Sequence, residues 1–155
     1  MRVNKYNMEL NEDRLPVLVK ESCRNYDHLS EVLNPADVFL FLNDNFHANR
    51  QAEEHVWVIG YRTNKVVGVF EISHGTINGS ATEPREIFSR LLMLGVTFFI
   101  IAHNHPSGSV NPSNDDISVT KRLKQAGDIM GIGLMDHVIL GEDTYYSFHN
   151  NNMIS

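Results

Sequence analysis

Thr97-Phe98-Phe99-Ile100-Ile101-Ala102 runs for six residues without a charge and stops at a histidine. A segment apolar at every position suits a central strand covered on both faces, so the chain is expected to build layers on either side of a sheet. The residues after the run constrain its end. His103 and His105 stand two apart, and alternation along a strand turns both to the same side. The turn-rich Pro106-Ser107-Gly108-Ser109-Val110-Asn111-Pro112 then leads to Ser113, three residues ahead of Asp116. Ser113 and Asp116 have capping-box spacing, with Asp in place of the usual Glu or Gln. They open a helix expected over 113–126, with Gly127 suited to its C-terminal cap. Taken singly, each of these residues has an ordinary explanation as a loop histidine, a helix-start acid or a cap. Together, two imidazoles on one side and a carboxylate oriented by its own helix start are the donor set of a catalytic zinc, with a fourth position left for water.

The remaining segments supply the support. Asn34-Pro35-Ala36-Asp37 reads as a helix start, with Asn34 at the N-cap, Pro35 first in the helix and Asp37 in its first turn. Val38, Phe39, Leu42 and Phe46 offer it an apolar face, and 43–52 reads as a polar loop. His55–Tyr61 and Val66–Ile72 form a hairpin pattern joined by Arg62-Thr63-Asn64-Lys65. Ser73-His74-Gly75-Thr76 and Asn78-Gly79-Ser80 are turn chemistry. Thr82-Glu83-Pro84-Arg85-Glu86 opens a second helix with a buried stripe of Ile87, Leu91 and Leu94, broadened by Phe88 and Leu92 and ended by Gly95. Ile132–Leu140 is a strand that turns at Gly141-Glu142-Asp143 into Thr144–Phe148. Ahead of all this, Leu15–Lys20 is a short strand or an extended arm. The succession of helix, hairpin, helix, strand, helix, hairpin predicts a mixed α/β (α+β) protein with a curved sheet flanked by helices. Its domain spans 34–155 behind an N-terminal arm of 1–33.

Bulk properties narrow the partners. A net charge of -6 gives no electrostatic reason to expect nucleic acid as the main partner, because phosphate binding needs a basic face. The single cysteine, Cys23, has no partner for an internal disulfide, which suits a reducing compartment. With no apolar signal core and no long apolar span, a cytoplasmic protein without a membrane partner is expected.

His103-x-His105, seven residues, Ser113, two residues, Asp116 resembles the JAMM motif of MPN-domain zinc metalloproteases. The longer string His103 to Gly108, reading HNHPSG, continues with Pro112-Ser113, Asp116, Thr120-Lys121-Arg122-Leu123 and Asp136-His137. Upstream stand Glu54-His55-Val56-Trp57-Val58, Gly68-Val69-Phe70-Glu71, Gly75-Thr76 and Pro84-Arg85-Glu86. Together these resemble the JAB/MPN domain of the RadC family over roughly residues 34–149. The helix-hairpin-helix region found ahead of that domain in full-length members is not expected in the residues preceding it here.

The resemblance implies a cytidine-deaminase-like three-layer architecture and one zinc ion held by His103, His105 and Asp116. It also implies hydrolysis of an amide bond in a protein or peptide substrate, of the peptidase or isopeptidase kind. In JAMM enzymes the proton acceptor is a glutamate just ahead of a strand. Glu54 fits that place and Glu53 is the alternative; strand parity puts the two on opposite faces, so only one serves. On residue type alone either reads as a solvated acid. Ser113 matches the motif serine that donates to the developing oxyanion.

Other titratable residues rank lower. Asp115 points about 100° away from Asp116 around the helix. Asp136 and His137 are either support for a ligand or structural hydrogen-bonding groups, and His74 and His149 read as surface histidines. The repair-linked RadC name raises a second reading, a DNA-associated module with Lys121, Arg122 and Lys124 as its basic strip. A third, an MPN scaffold without chemistry, fits less well because such members generally lose metal ligands.

Overall fold

The computed structural model describes residues 2–25, 32, 34–75 and 82–154. Along these the elements run β1 (Arg2–Leu10), β2 (Pro16–Asn25), α1 (Pro35–Phe46), β3 (Glu54–Arg62), β4 (Lys65–Gly75), α2 (Pro84–Leu94), β5 (Phe98–Asn104), α3 (Asn114–Met130), β6 (Gly133–Leu140) and β7 (Tyr145–Ser147). The strands pair into one mixed sheet in the order β2-β1-β4-β3-β5-β6-β7. The apolar run becomes β5, antiparallel to β3 on one edge and parallel to β6 on the other. Residues Phe99 to Asn104 are all buried.

Alternation sorts these strands into two cores. Val56 and Val58 of β3 and Phe99 and Ile101 of β5 pack with Ile87 and Leu91 of α2 and Leu123 of α3. Trp57, Ile59, Ile100 and Ala102 face the other way and pack with Val38, Phe41 and Leu42 of α1. The result is three layers, α1 below the sheet and α2 and α3 above it. Each fully buried Val, Ile, Leu or Phe contributes roughly 1.5–3 kcal/mol, so the double cover fixes the facing of β5. A one-residue slip would exchange the two faces.

Local chemistry explains most element boundaries. The Asn34 side chain accepts from the Asp37 N–H and caps α1. The β3–β4 turn holds Thr63 at φ 50 and Asn64 at φ 61, the left-handed pair of a type I′ hairpin. Gly95 ends α2 in the left-handed conformation.

Several boundaries differ from the sequence expectation. In α1 it is Phe41, three residues after Val38, that completes the buried face, while Phe39 is only partly buried. The stretch expected as loop from residue 43 remains helical to Phe46, and a 3-10 turn follows at Ala48–Arg50. Leu92 is exposed, and the N-cap Glu83 makes no side-chain capping bond. The strand β4 continues through Ser73 and His74 to Gly75, while the turn expected at 78–80 lies outside the described residues. Ahead of α1, Leu15–Lys20 belongs to a long hairpin, β1 with β2, and β1 joins the sheet edge parallel to β4 with Lys5 opposite Val69.

The helix α3 runs on to Met130 and is capped by Gly131 rather than Gly127. Gly127 has a different task. A Cβ placed there would lie 2.5 Å from the backbone oxygen of Ile132, where the chain folds back under the helix to enter β6. Gly127→Ala should therefore destabilise the fold by about 1–3 kcal/mol through overpacking, despite the roughly 1 kcal/mol by which alanine favours a helix. Urea unfolding of the variant against the parent measures the difference.

Candidate metal centre

The site forms where β5 ends and α3 begins, at the carboxyl end of the parallel β5–β6 pair, where open sheets commonly bind ligands. Because Phe99, Ile101 and His103 share a parity, His103 faces α3 and is fully buried. The loop then turns back on itself. The Gly108 N–H donates to the His105 carbonyl at 2.9 Å, and Gly108 is held at φ +77. Its carbonyl oxygen would sit 2.6 Å from any Cβ at Gly141, so the loop is seated on the β6–β7 turn by direct backbone approach. The His105 N–H donates to Leu140 O at 3.0 Å, which fastens the second histidine to the end of β6.

The N-terminus of α3 supplies the carboxylate. The Ser113 hydroxyl accepts from the Asp116 N–H at 3.1 Å, and Asp116 Oδ2 accepts from the Ser113 N–H at 2.7 Å, a complete capping box. Asp116 Oδ2 also accepts the Ser113 hydroxyl proton at 2.7 Å. Its other oxygen, Oδ1, is turned to the sheet, 3.2 Å from His103 Nε2. Asp116 begins a buried stripe of Asp116, Val119, Thr120, Leu123 and Gly127, so helix burial itself presents the carboxylate to the sheet.

Glu54 arrives from the neighbouring strand. Val56 pairs with His103, so Glu54, two residues earlier, has the parity of the α3 face. Its Oε1 lies 3.8 Å from His103 Nε2. Glu53 is exposed and stays outside the cluster. One donor atom each from Glu54, His103, His105 and Asp116 falls within a span of 4.8 Å.

Three observations bear on whether this cluster fits a cation. First, Glu54 Oε1 and Asp116 Oδ1 are buried with no hydrogen-bond partner, an arrangement costly for charged oxygens unless a positive group lies between them. Second, the Nδ1 of His105 lies 2.8 Å from the Ser109 carbonyl, which can only accept, so Nδ1 carries a proton and Nε2 turns to the cluster. That Nε2 is 3.0 Å from His103 Nε2, and two ring nitrogens so close need a proton or a metal between them. Third, His103 Nε2 lies 3.0 Å from His105 Nε2 and 3.2 Å from Asp116 Oδ1, close to two edges of a tetrahedron that meet at that nitrogen. Bonds of about 2.0–2.1 Å to one zinc imply edges of roughly 3.3 Å. The donors therefore fit a single small cation.

The family model described as "RadC-like JAB domain" matches residues 32–153. The chain belongs to the RadC-like JAB domain family. A UPF0758 protein of Geotalea uraniireducens (strain Rf4) is 33% identical over 131 residues, covering 84% of this chain and 57% of that protein. Another, from Clostridium novyi (strain NT), is 45% identical over 103 residues, covering 66% and 45%. A third, from Clostridium botulinum (strain Alaska E43 / Type E3), is 36% identical over 132 residues, covering 84% and 57%. The chain thus spans about half the length of the curated relatives it matches.

Within this RadC-like domain, Asn104 has a role that its sequence context hides, and His137 takes the place beside a site histidine that its strand position allowed. Asn104 points away from α3, and its side-chain amide bridges the backbone on both sides of Glu54. It donates to Glu53 O at 3.0 Å and accepts from the His55 N–H at 2.7 Å. It thereby substitutes for a strand partner where the β3–β5 pairing stops at Val56 and His103, and holds Glu54 against the site. His137, fully buried on β6, lies 2.8 Å from His103 Nδ1 through its own Nε2.

The lower-ranked residues fall elsewhere. Asp136 is a structural hub, accepting from Ser147 Oγ and from the His137 and His149 N–H groups. Burial pushes its carboxyl above the ordinary range, against those bonds. Asp115 and His149 are exposed, and the side chain of His74 lies outside the described ones. In the basic strip of α3, Arg122 pairs with Glu83 and Lys124 with Asp128. Among the described residues no helix is long and apolar enough to cross a membrane.

Burial works against the Asp116 carboxylate, but contacts from His103 and His105 outweigh it and hold its pKa well below the ordinary range. The Asp116 carboxylate, 3.6 Å from His105 Nε2, raises the His105 pKa from its ordinary value, against partial burial. A raised histidine pKa stabilises the metal-free fold fully below about pH 6.5, and that contribution is lost as pH rises through the raised value. A cation held at the cluster would have to displace this proton, so its affinity runs the opposite way. Titrations between about pH 5.5 and 8 should show zinc affinity climbing while the stability of the metal-free protein declines. Affinity independent of pH across that range would contradict the shared proton.

Proposed function

We propose that this RadC-like domain is a zinc-dependent hydrolase of the JAMM type, acting on an amide or isopeptide bond of a protein or peptide substrate. The observation that carries the reading is the pair of orphaned buried carboxylate oxygens, on Glu54 and Asp116, facing two histidine Nε2 atoms. His103, His105 and Asp116 would hold the ion, leaving one position for water. Zinc at such a site lowers the pKa of that water to about 7 and polarises the substrate carbonyl.

The protein's own groups do the remaining work. Glu54 is the proton acceptor: it stands beside the trio, farther from His103 Nε2 than Asp116 is, and the Asn104 clamp fixes its backbone. Having taken the proton from the attacking water, its carboxyl returns it to the leaving amine. Ser113 gives its hydroxyl proton to Asp116 Oδ2, so its first task is to hold the carboxylate. Donation to an oxyanion requires that proton to leave Asp116 for the substrate, and the motif resemblance supports this second task.

His103→Ala and Asp116→Ala should each abolish stoichiometric zinc binding, whereas Glu54→Gln should retain zinc and lose hydrolysis by at least about a hundredfold, the usual scale of general acid–base catalysis. Elemental analysis of zinc-supplied protein, with a peptide or isopeptide cleavage assay, checks both halves. Absence of zinc from the wild-type protein would defeat the proposal.

A further inference from the structure

The cluster works as a metal site only if His103 Nε2 carries a lone pair, and its proton position is set at the other end of the ring. His103 Nδ1 lies 2.8 Å from His137 Nε2. His137 Nδ1 lies 2.6 Å from Thr120 Oγ1, and Thr120 Oγ1 lies 2.6 Å from the backbone oxygen of Asp116. His137 and Thr120 are both buried, so water cannot supply an alternative partner.

The protons along this path can be assigned from the fixed end. A carbonyl oxygen only accepts, so the contact between Thr120 Oγ1 and Asp116 O requires the hydroxyl proton to lie between them, the i−4 back-bond that threonine makes in helices. With its one proton spent, Thr120 Oγ1 must accept from His137, which places a proton on His137 Nδ1. A neutral imidazole has one N–H, and full burial with only the Thr120 hydroxyl and the His103 ring against its two nitrogens gives His137 no carboxylate to hold a second proton. Its Nε2 therefore accepts, and His103 Nδ1 must donate. The lone pair of His103 then lies on Nε2, facing Asp116 Oδ1 and His105 Nε2.

We propose that Thr120, acting through His137, is the positioning residue that sets the tautomer of His103 and keeps its Nε2 free for the cation. The inference rests on the zinc reading for its purpose, though the tautomers themselves do not depend on zinc. Both ends of the path belong to proposed ligands: it begins on the Asp116 backbone and finishes on the His103 ring. The spacing of Asp116 and Thr120, one helical turn apart on the buried stripe, makes this possible. Removing the Thr120 oxygen while keeping its shape leaves the His137 Nδ1–H facing a methyl group. The imidazole then does better with its proton on Nε2, donating to His103 Nδ1, which moves the His103 proton onto Nε2 and into the cation's place.

The test compares the wild-type chain with Thr120→Val and Thr120→Ser. Long-range proton–nitrogen NMR correlations on the metal-free protein near pH 7.5 should show Nδ1–H tautomers at His103 and His137 in the wild type and in Thr120→Ser. Competition with a chromogenic chelator should show zinc held about 10–100-fold more weakly by Thr120→Val, with Thr120→Ser restoring the parent affinity. A wild-type His137 protonated on Nε2 would overturn the inference, as would undiminished zinc affinity in a folded Thr120→Val. If Thr120→Val does not fold, the wild-type tautomers and the Thr120→Ser affinity decide. A wild-type protein that binds no zinc but shows the assigned tautomers would refute the metal reading and leave the relay standing.

Discussion

Everything at the candidate site depends on β5 being held on four sides. It is hydrogen-bonded to β3 and β6 at its edges and covered by α2 and α3 above and α1 below. A strand so enclosed has one register and one facing, because either error would expose a core layer. Its last two residues inherit that certainty. His103 must enter the layer under α3, and Asn104 must enter the opposite layer, where it meets the backbone beside Glu54. The polar groups are fixed by the apolar ones that precede them.

The second structural economy is at the start of α3. Ser113 and Asp116 satisfy the orphan N–H groups that every helix start carries, and the same carboxylate keeps its other oxygen for the cluster. Bonding Oδ2 to both the Ser113 N–H and hydroxyl leaves the side chain little freedom to rotate, so Oδ1 is presented in one direction. A helix cap and a cation donor usually compete for the same lone pairs. Here the two oxygens divide the work.

Much of this was legible in the chain itself, and the boundary of legibility is physical. Strand parity, helix periodicity and capping operate over a few residues, so His103, His105, Ser113 and Asp116 could be grouped from spacing alone. The same rules separate Glu53 from Glu54 onto opposite faces but cannot say which face meets α3. That choice needs the pairing of Val56 with His103 across the sheet. Asn104 was hidden for a similar reason, since its two partners lie 49 and 51 residues away and an asparagine between histidines resembles a loop residue. Gly127 and Gly131 both look like helix ends, and only the approach of Ile132 O shows which one must lack a side chain. The β1–β2 hairpin gave a weak signal because it is polar and half-exposed, with Val3 buried and Tyr6 and Leu18 packed only partly against the core. Its place is set by pairing with β4 rather than by its own pattern.

The uneven spacing of the four clustered residues along the chain has a consequence for how the centre comes into being. His103, His105 and Asp116 lie within one strand–loop–helix unit, so bringing them together closes a short loop. Glu54 joins only when β3 pairs with β5, which closes one of about fifty residues and costs roughly 1 kcal/mol more in chain entropy. In a folding chain the trio can therefore assemble while Glu54 is still remote, because local contacts form ahead of non-local strand pairing. A cation met at that stage would anchor the β5–α3 corner as a template, and Glu54 would be added last. On this sequence of events, a centre of the proposed kind would capture its ion before it could use it.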